Sequence, residues 1–275
     1  MPPRIHCKSV RLMLSSVEMS KIAIPASPDT VPELAGRIAL TRKPADRSPV
    51  MFQRWAHLLF LHWRVDPDMI QATLPPGLFV DTYDKEAWLG IVPFFMEGLR
   101  PRFCPAVPGI SNFLELNLRT YVHDSHGRPG VWFYSLDANQ ALAVKIAQTV
   151  FSLPYRHAKM EAKTDMPIEL HSTRTGQPRQ TFIYEPGEPI GHSEPGSLEF
   201  FLVERYLLFS YRAASQKLFM GRIHHEPYAL HKPEVSAYSR DLFRLNGFED
   251  PERGHDHALL STGVDVSVYG LERVR

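Results

Sequence analysis

A chain of 275 residues with 44% hydrophobic and 11% aromatic residues has enough apolar mass for one sizeable core. Its 31 basic and 30 acidic residues leave a formal net charge of +1, so the basic excess of a nucleic-acid binder is missing. Cys7 and Cys104 stand far apart, which excludes a disulfide framework or a thiolate zinc cage; one isolated disulfide stays open, and two free thiols in a cytoplasmic setting are the plainer reading. No apolar run reaches the ~20 residues of a membrane helix.

In chain order, residues 1–50 are broken by Pro25, Pro28, Pro32, Pro44 and Pro49 and are expected to form a mobile tail. One domain is expected over residues 51–275. Trp55 to Val65 is aromatic and aliphatic, as a strand with a buried centre would be. Asp66-Pro67-Asp68 then carries a capping aspartate and a first-turn proline, and Pro75-Pro76-Gly77 stops the short helix. Strands are predicted at Leu78–Tyr83 and Ala87–Met96, with Asp84-Lys85 as the turn between them.

The segment Asn112 to Val122 alternates. Leu114, Leu116, Leu118 and Val122 share one face; Phe113, Glu115, Asn117, Arg119 and Tyr121 share the other. The first face is core. The second lines a barrel lumen or faces solvent, and the alternation alone leaves both open. Val131–Asp137 is the returning strand. Leu142, Ile146, Val150 and Leu153 repeat at helical spacing, predicting a helix over about 139–153 that Pro154 ends. Strands follow at Tyr155–Lys163, Ile168–Thr173 and Thr181–Tyr184, and Gly187 to Gly196 reads as a loop. Ser197 can cap a short helix, with strands after it at Arg205–Tyr211 and Lys217–His224. A helix over 236–245 and a strand over 262–271 complete the chain. The fold class is α+β, mostly β: a curved antiparallel β-barrel with a few short helices.

Several chemistries have no motif. Neither G-x-G-x-x-G nor G-x-S-x-G occurs, so no nucleotide cofactor and no esterase-type nucleophile is expected. His225-Glu226 opens like a zinc-protease motif but lacks the second histidine. His224, His225 and His231, or His255 and His257 around Asp256, are loose metal candidates, and the His255 pair reads as a solvent loop. No metal is assigned. Lys145 and Lys159 are candidates for a Schiff-base amine, with solvated side chains the plainer reading. Glu204-Arg205-Tyr206 fits a structural corner as readily as a site.

The stretches L-P-P-G-L (74–78), A-W-L-G-I-V-P-F (87–94), F-L-E-L-N-L-R-T-Y-V (113–122), G-V-W-F-Y-S-L-D-A (130–138), L-P-Y-R-H-A-K-M (153–160), F-L-V-E-R-Y (201–206) and H-H-E-P-Y-A-L (224–230) resemble the YqjF-like bacterial family of unknown function. That family resembles acetoacetate decarboxylase, which implies a similar barrel with a central pocket. Glu115 falls where the decarboxylase carries an active-site glutamate. Where the decarboxylase follows a proline with two adjacent lysines, Pro154 here is followed by Tyr155-Arg156, and Ala56 stands near the place of an early arginine. The amine nucleophile is thus missing from its place. The resulting expectation is a pocket for a carboxylate or carbonyl compound. Glu115 and His157 would be its acid–base groups, and Arg119, Tyr121, Tyr155 and Arg156 its ligand contacts. The alternative is a non-catalytic binding or scaffold protein that keeps the fold. Neither nucleic acid nor membrane is an expected partner, and a homo-oligomer is left open.

Overall fold

The computed structural model describes residues 34–42, 47–146 and 151–274. Cys7 and most of the predicted tail lie outside them. The strands are β1 (Met51–Val65), β2 (Leu78–Val80), β3 (Ala87–Pro101), β4 (Phe113–Asp124), β5 (Pro129–Ala138), β6 (Tyr155–His157), β7 (Lys159–Lys163), β8 (Ile168–Thr173), β9 (Gln180–Gly191), β10 (Leu207–Arg212), β11 (Lys217–His224), β12 (Leu230–Ala237), β13 (His257–Val268) and β14 (Glu272–Arg273). The helices are short: α1 (Leu34–Arg42), α2 (Pro67–Gln71), α3 (Ala141–Ile146), α4 (Leu198–Val203) and α5 (Asp241–Leu245). The mostly β class expected from the sequence is the class observed.

Strand pairing closes a ring in the order β1, β3, β4, β5, β10, β11, β13 and back to β1. Closure removes the free edges that an open sheet exposes. The pairing is antiparallel except at β5, which pairs parallel with both β10 and β6, a departure from the all-antiparallel expectation. From β13 the sheet continues through β12, β9 and β8 to β7. This arm buries Met160, Ile168, Leu170 and Phe182 against Leu116 and Leu118 of β4 and Leu59 and Leu61 of β1. The other face of the same strands points into the ring, where Phe113 and Tyr121 of β4 meet Leu58 and Phe60 of β1. Both faces of β4 are therefore buried, and its polar row looks into the ring rather than into solvent.

Local chemistry explains the elements. Asp66 accepts from the Asp68 amide at 2.8 Å and caps α2; Ser197 accepts from the Phe200 amide at 3.1 Å and caps α4. His57, at φ 52°, marks the irregularity where β1 shifts register against β3.

Several boundaries move. Residues 34–42, within the expected tail, form α1, which buries Ile38 and Thr41. The helix predicted over 139–153 is seen as α3, with residues 147–150 outside the described part; Leu142 is exposed, and Val144 is the residue of α3 that joins the core. The predicted strand 155–163 divides at Ala158 into β6 and β7, and β9 extends to Gly191 through the predicted loop. The segment 236–237 belongs to β12, so the late helix begins only at Asp241. The last long strand starts at His257, opposite His62, rather than at Thr262, so His257 is not in a solvent loop. For β6, β7, β9, β12 and β13, pairing with a neighbouring strand overrides local propensity.

Candidate functional site

The ring encloses a cavity of about 180 Å³. Glu115 lies on its wall, buried, and its carboxylate accepts a hydrogen bond from the Tyr155 hydroxyl at 2.7 Å. β4 places Glu115 opposite Ala138 of β5, and β6 pairs parallel with that stretch, with His157 beside Ala138 and Tyr155 beside Leu136. Burial raises the Glu115 pKa to about 7; hydrogen bonds from Tyr155 and Asn117 offset part of the rise, and Asp137 adds to it. The Tyr155 phenol is pushed well above its ordinary value, by burial first and then by the neighbouring carboxylate. Near neutrality, then, Glu115 exchanges a proton while Tyr155 keeps its own.

Two guanidiniums stand on the same wall system. Arg119 donates to the Leu202 carbonyl at 3.3 Å, and Arg205 donates from Nε to the Phe201 carbonyl at 2.8 Å. Both thus satisfy carbonyls in the last turn of α4 that the helix leaves without partners, at its negative dipole end. Both also lie over the ring of the fully buried Tyr121, at 5.6 Å for Arg119 and 5.2 Å for Arg205. The Tyr121 hydroxyl shares a 2.7 Å hydrogen bond with Nε2 of His62 and accepts from Arg119 at 3.4 Å. His62 is held neutral, mainly by burial and further by His257 and Arg119. Gly90 makes room for this packing: a Cβ there would lie 3.1 Å from the His62 ring and 3.6 Å from Cγ of Arg119.

The two arginines differ in charge compensation. Arg205 pairs with Asp81 at 2.6 Å, and Arg37 of α1 reaches the other oxygen of the same carboxylate at 3.2 Å. Burial works to raise the Asp81 pKa, yet the two guanidiniums outweigh it and hold the group below the ordinary carboxylate value. The hydrogen-bond and ring partners of Arg119 are all neutral: the Leu202 carbonyl, the Tyr121 hydroxyl, and the rings of Phe60 and Tyr121. A guanidinium in such a setting is suited to a carboxylate.

The structure brings together Glu115, Arg119 and Tyr155 on the cavity wall, with Tyr121 packed behind them. Two candidates are corrected. Arg156 and His157 are exposed on β6 and do not line the cavity, because β6 turns only Tyr155 inward. Lys145 and Lys159 are exposed as well, Lys159 paired with Glu161 at 3.2 Å, and no lysine occurs among the described lining residues. Among the described residues no cluster of three or more His, Cys, Asp or Glu side chains is arranged to hold a metal ion, and no helix is long and apolar enough to cross a membrane. Sequence reasoning missed Arg205 as a lining residue, Tyr228, Asp81 and His62. The Glu204-Arg205-Tyr206 triplet was the available signal for the first; the others carry none without the ring closure.

The fold is that of acetoacetate decarboxylase-like proteins. An acetoacetate decarboxylase-like enzyme from Sphingomonas wittichii RW1 superposes with a TM-score of 0.56 at 15% identity, covering 83% of this chain and 94% of that one. The enduracididine biosynthesis enzyme MppR complexed with pyruvate gives 0.58 at 14%, covering 84% and 93%. Acetoacetate decarboxylase from Legionella pneumophila gives 0.56 at 13%, covering 85% and 92%. Within that fold, the chain belongs to the DUF2071 family, described as uncharacterized conserved protein, which it matches over residues 52–265. The uncharacterized protein YqjF of Bacillus subtilis (strain 168) is 39% identical over 207 residues, or 74% of this chain and 84% of that protein.

Proposed function

We propose that the ring cavity binds a carboxylate that also carries a carbonyl group, and that Glu115 moves a proton to and from the bound molecule. The observation that carries this reading is a buried glutamate with a pKa of about 7 on the same wall as an arginine whose partners are all neutral. A base poised near neutrality is half ionised at working pH, which favours proton transfer in both directions. Arg119 grips the carboxylate. The Glu115 carboxylate takes a proton from the carbon beside the carbonyl, the C–H electron pair becomes the enolate, and Tyr155 holds the Glu115 side chain through its hydrogen bond. No amine nucleophile enters this scheme. The isolated cysteines fit a cytoplasmic location.

The test is proton–deuterium exchange, followed by NMR in heavy water with a panel of 2-oxo and 3-oxo acids. Exchange catalysed by the wild type and lowered on the order of 100-fold in Glu115→Gln is expected. Equal exchange with both proteins sinks the role of Glu115. A second reading, a binding protein without catalysis, is favoured by the largely apolar lining of the cavity. It predicts saturable binding of the same acids with no exchange above the buffer rate.

A further inference from the structure

The composition of the cavity wall says more than the polar groups alone. Apart from Gln53, the charged Glu115, Arg119 and Arg205, and the polar-tipped Trp55, Tyr155 and Tyr228, every lining residue is aliphatic, methionine or phenylalanine. A small hydrophilic acid needs no such surface, because its body gains nothing from contact with it. The apolar wall is also continuous toward one end. Met51, Leu99 and Ile110 line the cavity, and the loop that carries Ile110 continues with the exposed Val107 and Phe103. Gln140, beside α3, holds this loop by donating to the Gly109 carbonyl at 3.0 Å. Along β4 the order from that end is Phe113, Glu115, Arg119, and the last two lie four residues apart, roughly 13 Å along an extended strand. Arg119 therefore lies farther from the Phe113 end of β4 than Glu115, which stands between them. The arginines sit at the end closed by α4 and Asp81, and the apolar stretch lies toward the Ile110 loop.

We infer that the ligand of this cavity is an amphipathic carboxylate, with its head on Arg119 and an apolar body of medium chain length or single-ring size lying toward Phe113 and Ile110. The volume agrees with that size. An apolar cavity of roughly 150 Å³ is large enough to take up benzene, and this one measures about 180 Å³. The inference rests on the carboxylate reading above and adds the class of molecule that satisfies the rest of the wall.

The experiment is calorimetric titration of the full-length protein with butanoate, hexanoate, octanoate and decanoate, and with the primary alcohols of the same lengths. Affinity for the carboxylates should rise roughly fourfold per added methylene until the cavity is full, which corresponds to about 0.8 kcal/mol for each buried CH₂. Ile110→Trp, at a half-exposed position, should lower the affinity for decanoate several-fold and leave that for butanoate unchanged. A flat dependence on chain length, or binding of none of the acids, overturns the inference. Arg119→Met separates the two readings. If the preference for acid over alcohol is lost while the chain-length slope persists, the apolar body is supported and the head-group contact is confirmed as Arg119. If the wild type shows the slope but no preference for acids over alcohols, the carboxylate reading fails and only the apolar site survives. A preference without a slope defeats the present inference alone.

Discussion

Burial moves the titration of Glu115 and His225 in opposite directions from their ordinary ranges. Burial raises the Glu115 pKa from 4.5 to about 7, whereas burial of His225, stacked at 4.8 Å on Tyr206 and 4.5 Å from Tyr228, lowers its pKa from 6.5 to about 4. The linkage signs are opposite. The carboxyl is neutral in both states below pH 4.5, and the folded state loses stability as pH rises from there through 7, by roughly 3 kcal/mol in all. The imidazole is neutral in both states above pH 6.5, and the folded state loses a similar roughly 3 kcal/mol as pH falls from there to 4. Melting temperature against pH should therefore tilt in single variants. Glu115→Gln should gain stability over wild type as pH rises from 4.5 to 7, and His225→Phe should lose the acid-side decline. Parallel curves for wild type and both variants would falsify these burial costs. A separate expectation concerns the lysines. Because no lysine occurs among the described lining residues, borohydride treatment with 2-oxo and 3-oxo acids should give no adduct beyond that of an unrelated control protein, and a stoichiometric adduct on Lys145 or Lys159 would overturn that.

Elements meet at two junctions that a single substitution can probe. The parallel pairing of β5 with β10 is one link of the ring, and it works at short range: a Cβ on Gly130 would stand 2.7 Å from the Leu207 carbonyl oxygen and 2.7 Å from the Phe209 ring. Gly130→Ala should cost about 1–3 kcal/mol in a denaturant titration, since backbone rather than a flexible side chain must give way. The same substitution at Gly36, where a Cβ would meet nothing within 4 Å, is the control. The second junction is Asp81, held between Arg205 next to α4 and Arg37 of α1. Arg205→Ala leaves a buried carboxylate with one partner and should cost about 3–5 kcal/mol. Arg37→Ala should instead speed hydrogen exchange of the 34–42 amides while the ring amides keep their protection. Uniform loss of protection across the chain would show that α1 does not open on its own.

At the scale of the whole molecule, one strand serves two interiors. Leu114, Leu116 and Leu118 pack under the arm of β7, β8 and β9, while Phe113, Glu115, Arg119 and Tyr121 belong to the ring. The period-two alternation of residues 113–122 was visible in the sequence, and so were the caps at Asp66 and Ser197, because both depend on chemistry within a few residues. The mostly β class followed from the spacing of many short apolar runs. What the polar row of β4 faces was not visible, since solvent and lumen give the same alternation. Ring closure through β11 and β13 settles it, and with it the burial that raises the Glu115 pKa. Arg156 and His157 were near the site in sequence and lie outside it in space, because β6 is only three residues long and presents Tyr155 alone to the cavity. Arg205 lies 124 residues from its partner Asp81, and His62 lies 59 residues from its partner Tyr121. Local sequence therefore determined the alternation of β4, the caps of α2 and α4 and which residues carry charge. Only the tertiary structure decided which charges share a cavity, because desolvation and pairing are set by distances between segments that the chain order does not encode.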